Sequence, residues 1–564
     1  MKFDRWDVGG FSRDAAVSLC NNGVNPLVSV LLASRGFTDI ADVQTLIGVD
    51  TVPFHDPFLL ADMEKAVACI KMAIGRRERI AIYGDYDVDG MTASAILALW
   101  LSSRGADYEI YIPGRFEEGY GLNIKALDAL REREVGLVIT VDCGITALEE
   151  AQYAKNTGLK LVITDHHECR DVLPVADAVV NPKRPDCAYP YKSLAGVGVA
   201  FKLVSALEGD YLSDDMFRRY SELVAVGTVA DVMPMVGENR DFVRLGLEVL
   251  DTDPSPGLKA LLRAASSAPY RITASTIGFT IAPRLNAAGR MGEPEVSVKL
   301  LLTDNEEDAK LLAEQLCELN SMRRDQEQKM YEDAIKMLHL TDPVEPIILA
   351  QSEWNQGVTG IVAAKLAERY RLPAIVISID TDGIGRGSCR SFGSFSIYNA
   401  LCSCEDILNN YGGHDMAAGV TVAVENIDNL RNCISDYYYA HIEDAPVPGL
   451  RIDFEVKMPK LLTIENIKAL SILEPFGTDN PSPYLCIMGA VLSSKQSIGA
   501  DKHTRLVIEK AEQKLDCIFF SVPASELNIA PGELVDVAFE PQINEYRGRS
   551  NIQLQLIDIR ASQL

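Results

Sequence analysis

Basic residues are in short supply in this chain of 564 residues. Asp and Glu number 80 against 54 Lys and Arg, which gives a formal net charge of −26. So acidic a surface argues against a basic coat on nucleic acid and against electrostatic binding to anionic membranes. Taken alone, the charge therefore predicts that the protein has no nucleic-acid partner.

Paired cysteines and long apolar runs are also missing. The 12 cysteines include no C-x-x-C pair, so we expect neither a disulfide scaffold nor a zinc ribbon, and Cys402-Ser403-Cys404 predicts ordinary thiols. No run of 18 apolar residues occurs and no apolar leader follows Met1, so we expect a cytoplasmic protein without a membrane partner. The lack of a G-x-x-x-x-G-K-[ST] motif argues against an ATP-driven motor.

What is present is typical of several folded domains. Hydrophobic residues make up 47% of the chain and charged residues 24%, and a length of this size predicts three or four domains at about 150 residues each. Continuous Ile- and Val-rich runs alternate with helical patterns, which predicts an α/β fold with a parallel sheet. Glu306–Leu338 contains no Pro or Gly and predicts one long helix.

The end of the chain differs from the rest. Pro and Gly are concentrated at 445–449, which indicates a linker, and the short strand-like runs after it predict a small β-barrel of the OB type. We therefore divide the chain into a helical N-terminal segment (1–55), a parallel-sheet α/β domain (56–302), a long connecting helix (303–344), a smaller α/β domain (345–445) and an OB-type barrel (446–564).

Acidic and histidine residues follow three of the predicted strands, which are Arg79–Tyr83, Val135–Val141 and Leu159–Thr164. Ligands bind beyond the carboxyl ends of strands in an open parallel sheet, so these residues should converge. The three segments are Gly84-Asp85-Tyr86-Asp87-Val88-Asp89-Gly90, Asp142-Cys143-Gly144 and Asp165-His166-His167-Glu168.

So many carboxylates in one place would repel each other unless a divalent cation neutralised them. Carboxylates mixed with histidine favour Mn²⁺ or Mg²⁺, and two such ions can clamp the attacking and leaving oxygens of a phosphoester.

Each motif alone has a simpler interpretation. The residues 85–90 resemble the opening of a calcium loop, although Ile96 stands where that loop needs Glu, and Asp142 or Asp231 alone would be an ordinary helix cap. Their occurrence together favours a metal site.

These motifs, in this order, resemble the DHH phosphoesterase superfamily, and within it the RecJ family of single-strand-specific 5′→3′ DNA exonucleases. The resemblance covers nearly the whole chain, with the domain from 345 to 445 similar to the DHHA1 domain. It is carried by Gly84–Gly90, residues 113–121 (PGRFEEGYG), Val141–Gly144, Asp165–Glu168, Ala230-Asp231, Gly289-Arg290-Met291, Gly412-Gly413-His414 and Glu474-Pro475-Phe476-Gly477.

The resemblance implies a role for each matching residue and a cofactor of two Mn²⁺ or Mg²⁺ ions. The implied metal ligands are Asp85, Asp87, Asp89, Asp142, His166 and Asp231. The implied catalytic residues are Asp87, Asp142, His166 and His167. The implied substrate-binding residues are Arg115, Arg290, Ser388, Arg390, Gly413 and His414, with Arg284 a weaker candidate for lining the DNA path.

The implied function is degradation of single-stranded DNA from a 5′ end to mononucleotides in DNA repair and recombination. The resemblance also implies a monomer that works with a helicase and a single-strand-binding protein. Two alternatives stay open. One is a DHH-family phosphodiesterase for short oligoribonucleotides or cyclic dinucleotides, and the other is a non-catalytic single-strand-binding relative.

Two glycine-rich stretches and several aromatic residues are further candidates for binding the strand. Residues 385–391 (GRGSCRS) are predicted to follow a strand and to expose backbone N–H groups to an anion. Residues 412–419 (GGHDMAAG) are predicted to face the active-site cleft. In the barrel, the candidates for base stacking are Phe519, Phe520, Phe539 and Tyr546, the last beside Arg547 and Arg549.

Overall fold

A computed structural model gives the fold and describes residues 3, 5–47, 54–114, 119, 121–209, 214–265, 271–338, 343–441, 449–546 and 549–562. The chain forms two compact units. The first comprises Met1–Pro53, Val447–Phe476 and Asn480–Leu564, and the second comprises Phe54–Pro446 with Gly477–Asp479. Among the described residues, we find no helix with the length and apolar character that a membrane span requires.

The first unit begins with a strand and three helices, β1 (Arg5–Val8), α1 (Arg13–Asn21), α2 (Pro26–Ser34) and α3 (Ile40–Ile47). Strand β1 pairs in parallel with a strand from far along the chain, with Arg5 opposite Gly449. Helix α2 starts at Pro26 after an Asn25 cap, and its Leu27 and Leu31 enter the core of the barrel described below. The N-terminal segment is thus part of the C-terminal unit.

The second unit is built around a five-stranded parallel sheet in the order β3-β2-β4-β5-β6. The central strands are apolar on both faces because helices cover both sides, and this confirms the predicted α/β fold. The elements in chain order are α4 (Met63–Gly75), β2 (Arg79–Tyr83), α5 (Val88–Ser103), β3 (Tyr108–Tyr111), α6 (Ile124–Glu132), β4 (Val135–Val141), α7 (Leu148–Thr157), β5 (Lys160–Thr164) and β6 (Ala178–Val180).

Helices follow the sheet. They are α8 (Gly196–Glu208), α9 (Asp214–Ala230), α10 (Gly237–Thr252), α11 (Pro256–Ala264), α12 (Ala274–Thr276), α13 (Ala282–Met291) and α14 (Pro294–Leu302), with a turn of π-helix at Ile277–Ile281 before α13. The long helix predicted for Glu306–Leu338 is confirmed as α15 (Glu306–Met337). It packs against α11, α13 and α14 at one end and against a helix of the second sheet at the other.

The second sheet of this unit is mixed and has the strand order β10-β11-β9-β8-β7. Its elements are β7 (Ile347–Gln351), α16 (Gln356–Tyr370), β8 (Ala374–Ile379), β9 (Ile384–Arg390), α17 (Ile397–Cys402), β10 (Asn410–His414), β11 (Ala417–Ala423) and α18 (Ile427–His441). Cys404 and Cys433 form a disulfide with a Cα–Cα distance of 6.2 Å. The prediction of ordinary thiols was therefore wrong for Cys404, because its partner lies on α18 and not within its own C-x-C stretch.

The prediction that residues 385–391 follow a strand and expose their backbone N–H groups to an anion is wrong, since Ile384–Arg390 is itself a central strand of this sheet. It pairs with β8 on one side and β11 on the other, which uses its backbone N–H groups in the sheet. Gly385 and Gly387 are there for packing, because a Cβ at either position would lie under 3 Å from the Ile377 side chain. The stretch 412–419 forms most of the β10–β11 hairpin.

The barrel of the first unit is confirmed as an OB-type fold. The remaining elements of this unit are β12 (Gly449–Ile452), β13 (Phe454–Glu455), α19 (Ile464–Ala469), β14 (Leu485–Ile498), β15 (His503–Lys510), β16 (Gln513–Phe519), β17 (Leu534–Tyr546) and β18 (Arg549–Ala561). Strand β12 pairs with β1, and β14 to β18 form the barrel. Pairing of β14 with both β15 and β17 closes the barrel. The division of the chain into five regions stays a prediction.

Burial separates the barrel aromatics. Phe519 and Phe539 are 2% and 0% exposed, so they belong to the core and cannot stack on bases. Phe520 is 43% exposed and lies edge-on to His503 at 5.4 Å between ring centroids. The side chains of Tyr546, Arg547 and Arg549 lie outside the described residues.

Candidate active site

Three neighbouring strands bring the predicted metal ligands together. Asp85 and Asp87 follow β2, Asp142 follows β4, and His166 follows β5. Strand β4 lies between β2 and β5 in the sheet, so these side chains leave from the same edge. Ligand atoms of Asp85, Asp87 and Asp142 lie within 4.8 Å of one another.

The imidazole of His166 joins this group to two more carboxylates. Its Nε2 lies 3.1 Å from Asp142 Oδ1, 3.6 Å from Asp231 Oδ2 and 3.8 Å from Asp89 Oδ2. His166, Asp89 and Asp142 are each at most 5% exposed, whereas the Asp231 side chain is 29% exposed. All six predicted ligands therefore form one cluster that opens to solvent beside Asp231.

The local backbone explains the positions of the first ligands. Asp87 caps α5, with its Oδ1 accepting a hydrogen bond from the Gly90 N–H at 3.0 Å. Gly90 must be glycine, because a Cβ there would lie 2.6–2.8 Å from backbone atoms of Asp85. Asp142 has φ 61°, a left-handed conformation that Asp and Asn tolerate better than most residues.

Asp89 is held in a different way that the strand-end argument does not cover. It lies inside α5, and its two carboxylate oxygens accept hydrogen bonds from Gly196 and Val197 N–H at 2.7 and 2.8 Å. These N–H groups are at the start of α8, where the helix dipole favours an anion. The small residues of Ala195-Gly196-Val197-Gly198 were the one sequence signal for this contact.

Three carboxylates of the cluster are difficult to ionise, because they are buried and lie close to other negative charges. Burial raises the pKa of Asp89 well above its ordinary value, and the charges of Asp231 and Asp87 raise it further. Burial and the charge of Asp89 do the same to the pKa of Asp142. Burial raises the pKa of Asp231 to about 7, with Asp87 adding to the effect. Crowded carboxylates of this kind are stabilised by a cation between them.

The pKa values of the two adjacent histidines are shifted in opposite directions. Burial and the neighbouring His167 lower the pKa of His166 to about 3, so His166 is neutral and can donate a lone pair. Burial also disfavours charge on His167, but its hydrogen bond to Asp165 outweighs this and raises the pKa of His167 to about 9. Neutral imidazole is the ligand form of histidine, and the imidazolium is a hydrogen-bond donor.

Asp165 has a supporting role. Its Oδ1 lies 2.7 Å from His167 Nδ1 and accepts the N–H groups of His166 and His167, while its Oδ2 accepts the N–H of Ile145. Burial opposes ionisation, yet these bonds, above all that to His167, lower the pKa of Asp165. The carboxylate therefore orients the two histidines and is not among the groups that converge on a cation.

The cluster fits divalent cations on the evidence of its unsatisfied atoms. Within the described residues, His166 Nε2 and Asp142 Oδ1 are buried and make no hydrogen bond, although they lie 3.1 Å apart. Buried polar atoms without partners are rare in native proteins unless an ion or water binds them. Five carboxylates, two imidazoles and no thiolate converge here, and with His167 protonated the donor set is the five carboxylates and His166, which suits Mn²⁺ or Mg²⁺.

Predicted substrate-binding residues lie around the first turn of α16. Arg290, at the end of α13, donates from Nη1 to the carbonyl of Gly357 at 3.0 Å. A Cβ at Gly357 would lie 2.2 Å from the Arg290 carbonyl oxygen, so the two backbones touch. This contact ties the helices of the parallel-sheet part to the second sheet at the point where Arg290 emerges.

Ser388 and Arg390 reach the same turn from β9. A Cβ at Gly360 would lie 3.1 Å from Arg390 Nη2 and 3.4 Å from Ser388 Oγ, and Ser388 Oγ lies 3.0 Å from Thr359 Oγ1. Two guanidinium groups, a hydroxyl and a helix N-terminus thus meet in one place. Such a combination is suited to a phosphate.

The other predicted substrate residues are placed less closely. Gly413 and His414 are in β10, at the edge of the second sheet, and His414 is exposed. Across β11 they lie level with Cys389 and Arg390, two strands away. Arg115 lies outside the described residues. The roles of all these residues stay predictions.

Comparison with known proteins assigns the chain to a family. Family models match at residues 79–228 (DHH family, N-terminal domain), 344–440 (DHHA1 domain) and 452–558 (RecJ OB domain). The chain is 39% identical to the single-stranded-DNA-specific exonuclease RecJ of Bacillus subtilis, over 99% of this chain and 71% of that protein. The chain belongs to the RecJ family. Each domain that the motifs suggested is therefore matched by its own family model.

Solved RecJ structures share the fold. The crystal structure of RecJ from Thermus thermophilus with Mn²⁺ superposes with a TM-score of 0.84 at 30% identity, covering 99% of this chain and 80% of that one. The structure of the same protein with Mg²⁺ has a TM-score of 0.77 at 28% identity, covering 99% and 79%. Both metals that the donor set favours have thus been observed in a RecJ protein.

Proposed function

We propose that the protein is a metal-dependent exonuclease that degrades single-stranded DNA from its 5′ end. The observation that supports this most is the buried cluster of five carboxylates and neutral His166, in a chain of the RecJ family. The match to the RecJ OB domain at 452–558 argues against a phosphodiesterase for short oligonucleotides, because such a compact enzyme would have no need of this additional barrel. The complete cluster argues against a non-catalytic binding protein.

The ligands are proposed to be Asp85, Asp87, Asp89, Asp142, His166 and Asp231, which would hold two Mn²⁺ or Mg²⁺ ions. When bound, such ions supply a nucleophile from water at neutral pH and neutralise the charge that develops on the phosphoryl group.

The chain's own contribution is position and charge. Asp89 and Asp142 are fixed by the α8 N-terminus and by a left-handed backbone, so they need little reorganisation. The imidazolium of His167 is half-open to solvent and can donate to an oxygen of the scissile phosphate. Asp165 keeps that ring protonated and oriented.

The 5′ end is proposed to bind at Arg290, Ser388 and Arg390, with Arg115, Gly413 and His414 lining the same path. Binding one end of the strand beside the metal cluster makes the enzyme remove nucleotides from that end, which supports the 5′→3′ polarity. We further propose that the protein acts in the cytoplasm as a monomer, beside a helicase and a single-strand-binding protein, in DNA repair and recombination; the family resemblance supports these points.

A degradation assay tests the proposal. The full chain is incubated with a 5′-labelled single strand of about 50 nucleotides, with the matching duplex, and with a 3-mer, each with Mn²⁺ or EDTA. We expect labelled mononucleotide to be released first from the single strand, much faster than from the duplex, and not in EDTA. Equal rates on duplex and single strand, or no cleavage with Mn²⁺, would refute it.

Arg390→Ala is predicted to remove the preference for a 5′-phosphate. Charge-assisted hydrogen bonds to a phosphate contribute about 1.5–3 kcal/mol, so the rate on a 5′-phosphorylated strand should fall about 10- to 100-fold. The rate on a 5′-hydroxyl strand should change little. Arg386→Ala is the matched control, because Arg386 is on the same strand but is paired with Asp380. Equal losses on both substrates would contradict the assignment.

A further inference from the structure

One exposed aromatic side chain lies on the segment that leads into α13 and has no role in the function above. Phe279 is 82% exposed. It belongs to the turn of π-helix at Ile277–Ile281, which continues directly into α13. Turns of π-helix are rare and are frequently found at functional sites. A single exposed apolar residue is ordinary on a protein surface, so the surroundings of Phe279 must decide its meaning.

The helical segment that carries Phe279 packs at both of its ends against elements that carry proposed ligands. At the start, a Cβ on Gly278 would lie 3.9 Å from Val229, two residues before Asp231. At the far end, a Cβ on Gly289 would lie 2.3 Å from the carbonyl oxygen of Tyr86, in the loop that holds the first ligands. Phe279 is thus next to a contact with α9, the helix that leads into the partly exposed Asp231.

A positively charged side chain, that of Arg284, follows Phe279 closely in the chain. Arg284 turns back along the helix, and its Nη1 donates to the carbonyl of Thr280 at 2.7 Å, next to Phe279. No carboxylate within the described chain forms an ion pair with Arg284. An exposed ring beside an uncompensated guanidinium is typical of sites that bind single strands, since the ring stacks on a base and the cation attracts a phosphate.

The positions of Arg290 and Phe279 at the two ends of the segment also suggest a direction for the bound strand. Arg290, at the α16 turn, is about 15 Å from Phe279 along the helix. A strand whose 5′ end is bound at Arg290, Ser388 and Arg390 would cross the cluster and leave it on the Asp231 side. It would reach Phe279 within a few nucleotides.

We propose that Phe279 is a stacking platform for one base near the 5′ end of the strand, with Arg284 facing the adjacent phosphate. The proposal rests on the proposed function, since it needs a strand in the site. Stacking holds the strand behind the scissile phosphate and so keeps the substrate in register between successive cuts.

The test is a scan with abasic nucleotides. Binding of 5′-phosphorylated single strands, each lacking one base among the first eight, is measured by fluorescence anisotropy in EDTA to prevent cleavage. For the unmodified protein, removal of one particular base should weaken binding about 5- to 100-fold. For Phe279→Ala, binding of the intact strand should be weaker by a similar factor, and removal of that base should have no further effect. Phe279→Trp should restore the positional effect.

Matched variants separate this proposal from the function itself. Leu311→Ala removes another exposed apolar side chain, 64% exposed on α15, and should leave every affinity unchanged. Arg284→Ala should reduce the salt dependence of binding by about one phosphate contact. If the unmodified protein degrades single strands but Phe279→Ala shows the same abasic profile, the platform is refuted and the function stands. If the unmodified protein neither binds nor degrades single strands, the proposed function fails.

Discussion

Asp142→Asn is expected to lower the exonuclease rate by about 1,000-fold and at the same time to make the metal-free protein more stable. Asp142 contacts His166 and shares the cluster with Asp85 and Asp87, so it is a proposed ligand at the centre of the site. Loss of about 4 kcal/mol of stabilisation of the developing charge accounts for a rate decrease of this size.

The stability effect has the opposite sign because the site is built from groups that repel. Burial and neighbouring charges raise the pKa of Asp142, so an ionised carboxylate there costs free energy when no cation is present. Asparagine removes that charge, has nearly the same volume and tolerates the left-handed backbone conformation at φ 61°. We expect the free energy of unfolding in EDTA to rise by about 1 kcal/mol or more.

Denaturant unfolding in EDTA measures the stability of the metal-free proteins, and unfolding in Mn²⁺ measures how much the metal stabilises each of them. Mn²⁺ should stabilise the unmodified protein strongly and Asp142→Asn much less, so that their order of stability reverses. Asp107→Asn is the control, since Asp107 is exposed at the opposite end of the strands. A variant that is inactive and also less stable in EDTA would show a folding defect instead of a lost ligand.

Gly90→Ala is expected to lower activity by about 100-fold or more with every proposed ligand still present. The added Cβ would lie 2.6 Å from the Asp85 backbone nitrogen and 2.7 Å from its carbonyl oxygen. These are backbone atoms between a buried strand and α5, so they cannot move aside without carrying Asp85 and Asp87 with them. Displacement of catalytic groups by about 1 Å is enough for a loss of this size.

The melting temperature and the rate together test this prediction. Gly90→Ala should melt at a lower temperature and should bind Mn²⁺ more weakly in calorimetry. Gly75→Ala is the matched control, because a Cβ there meets nothing within 4 Å. Gly75 ends α4, and alanine should leave activity unchanged and add about 0.4–1 kcal/mol of stability. Full activity of Gly90→Ala would contradict the steric argument.

The buried strands were the most predictable part of the fold. Arg79–Tyr83 and Val135–Val141 have the same bounds in sequence and structure, and Leu159–Thr164 differs by one residue, because strands covered on both faces are continuously apolar. Tyr108–Tyr111 was missed since it is an edge strand and half-exposed throughout. Ile384–Arg390 was not predicted as a strand because glycine, which packs here against Ile377, is otherwise typical of turns.

The site was predictable only where residues follow strands. Asp85, Asp87, Asp142 and His166 are gathered by the sheet itself, so strand order alone brings them together. Asp89 lies within α5 and Asp231 follows α9, and their approach depends on how helices pack on the sheet. No local pattern encodes that packing, so the sequence pattern included Asp89 only as a member of the segment 84–90 and could not separate Asp231 from an ordinary helix cap.

Net charge was the least informative signal. A value of −26 describes the whole surface, whereas the strand is proposed to meet a small region with Arg284, Arg290 and Arg390. Part of the acidity is the proposed ligand set, which cations would offset. The prediction of no nucleic-acid partner fails for this reason.

The pairing of β1 with β12 has a consequence for the order of events on the ribosome. The Trp6 indole donates to Asp558, 552 positions later in the chain, and Arg35 pairs with Asp453. At about 5–20 residues per second, the first helices wait about half a minute to two minutes for these partners to be synthesised. The second unit, Phe54–Pro446, is by then almost entirely outside the ribosome and can fold first. The nascent chain thus completes the unit with the proposed metal site before the apolar faces of α1 to α3 are covered, and we expect these faces to be prone to aggregation during that interval.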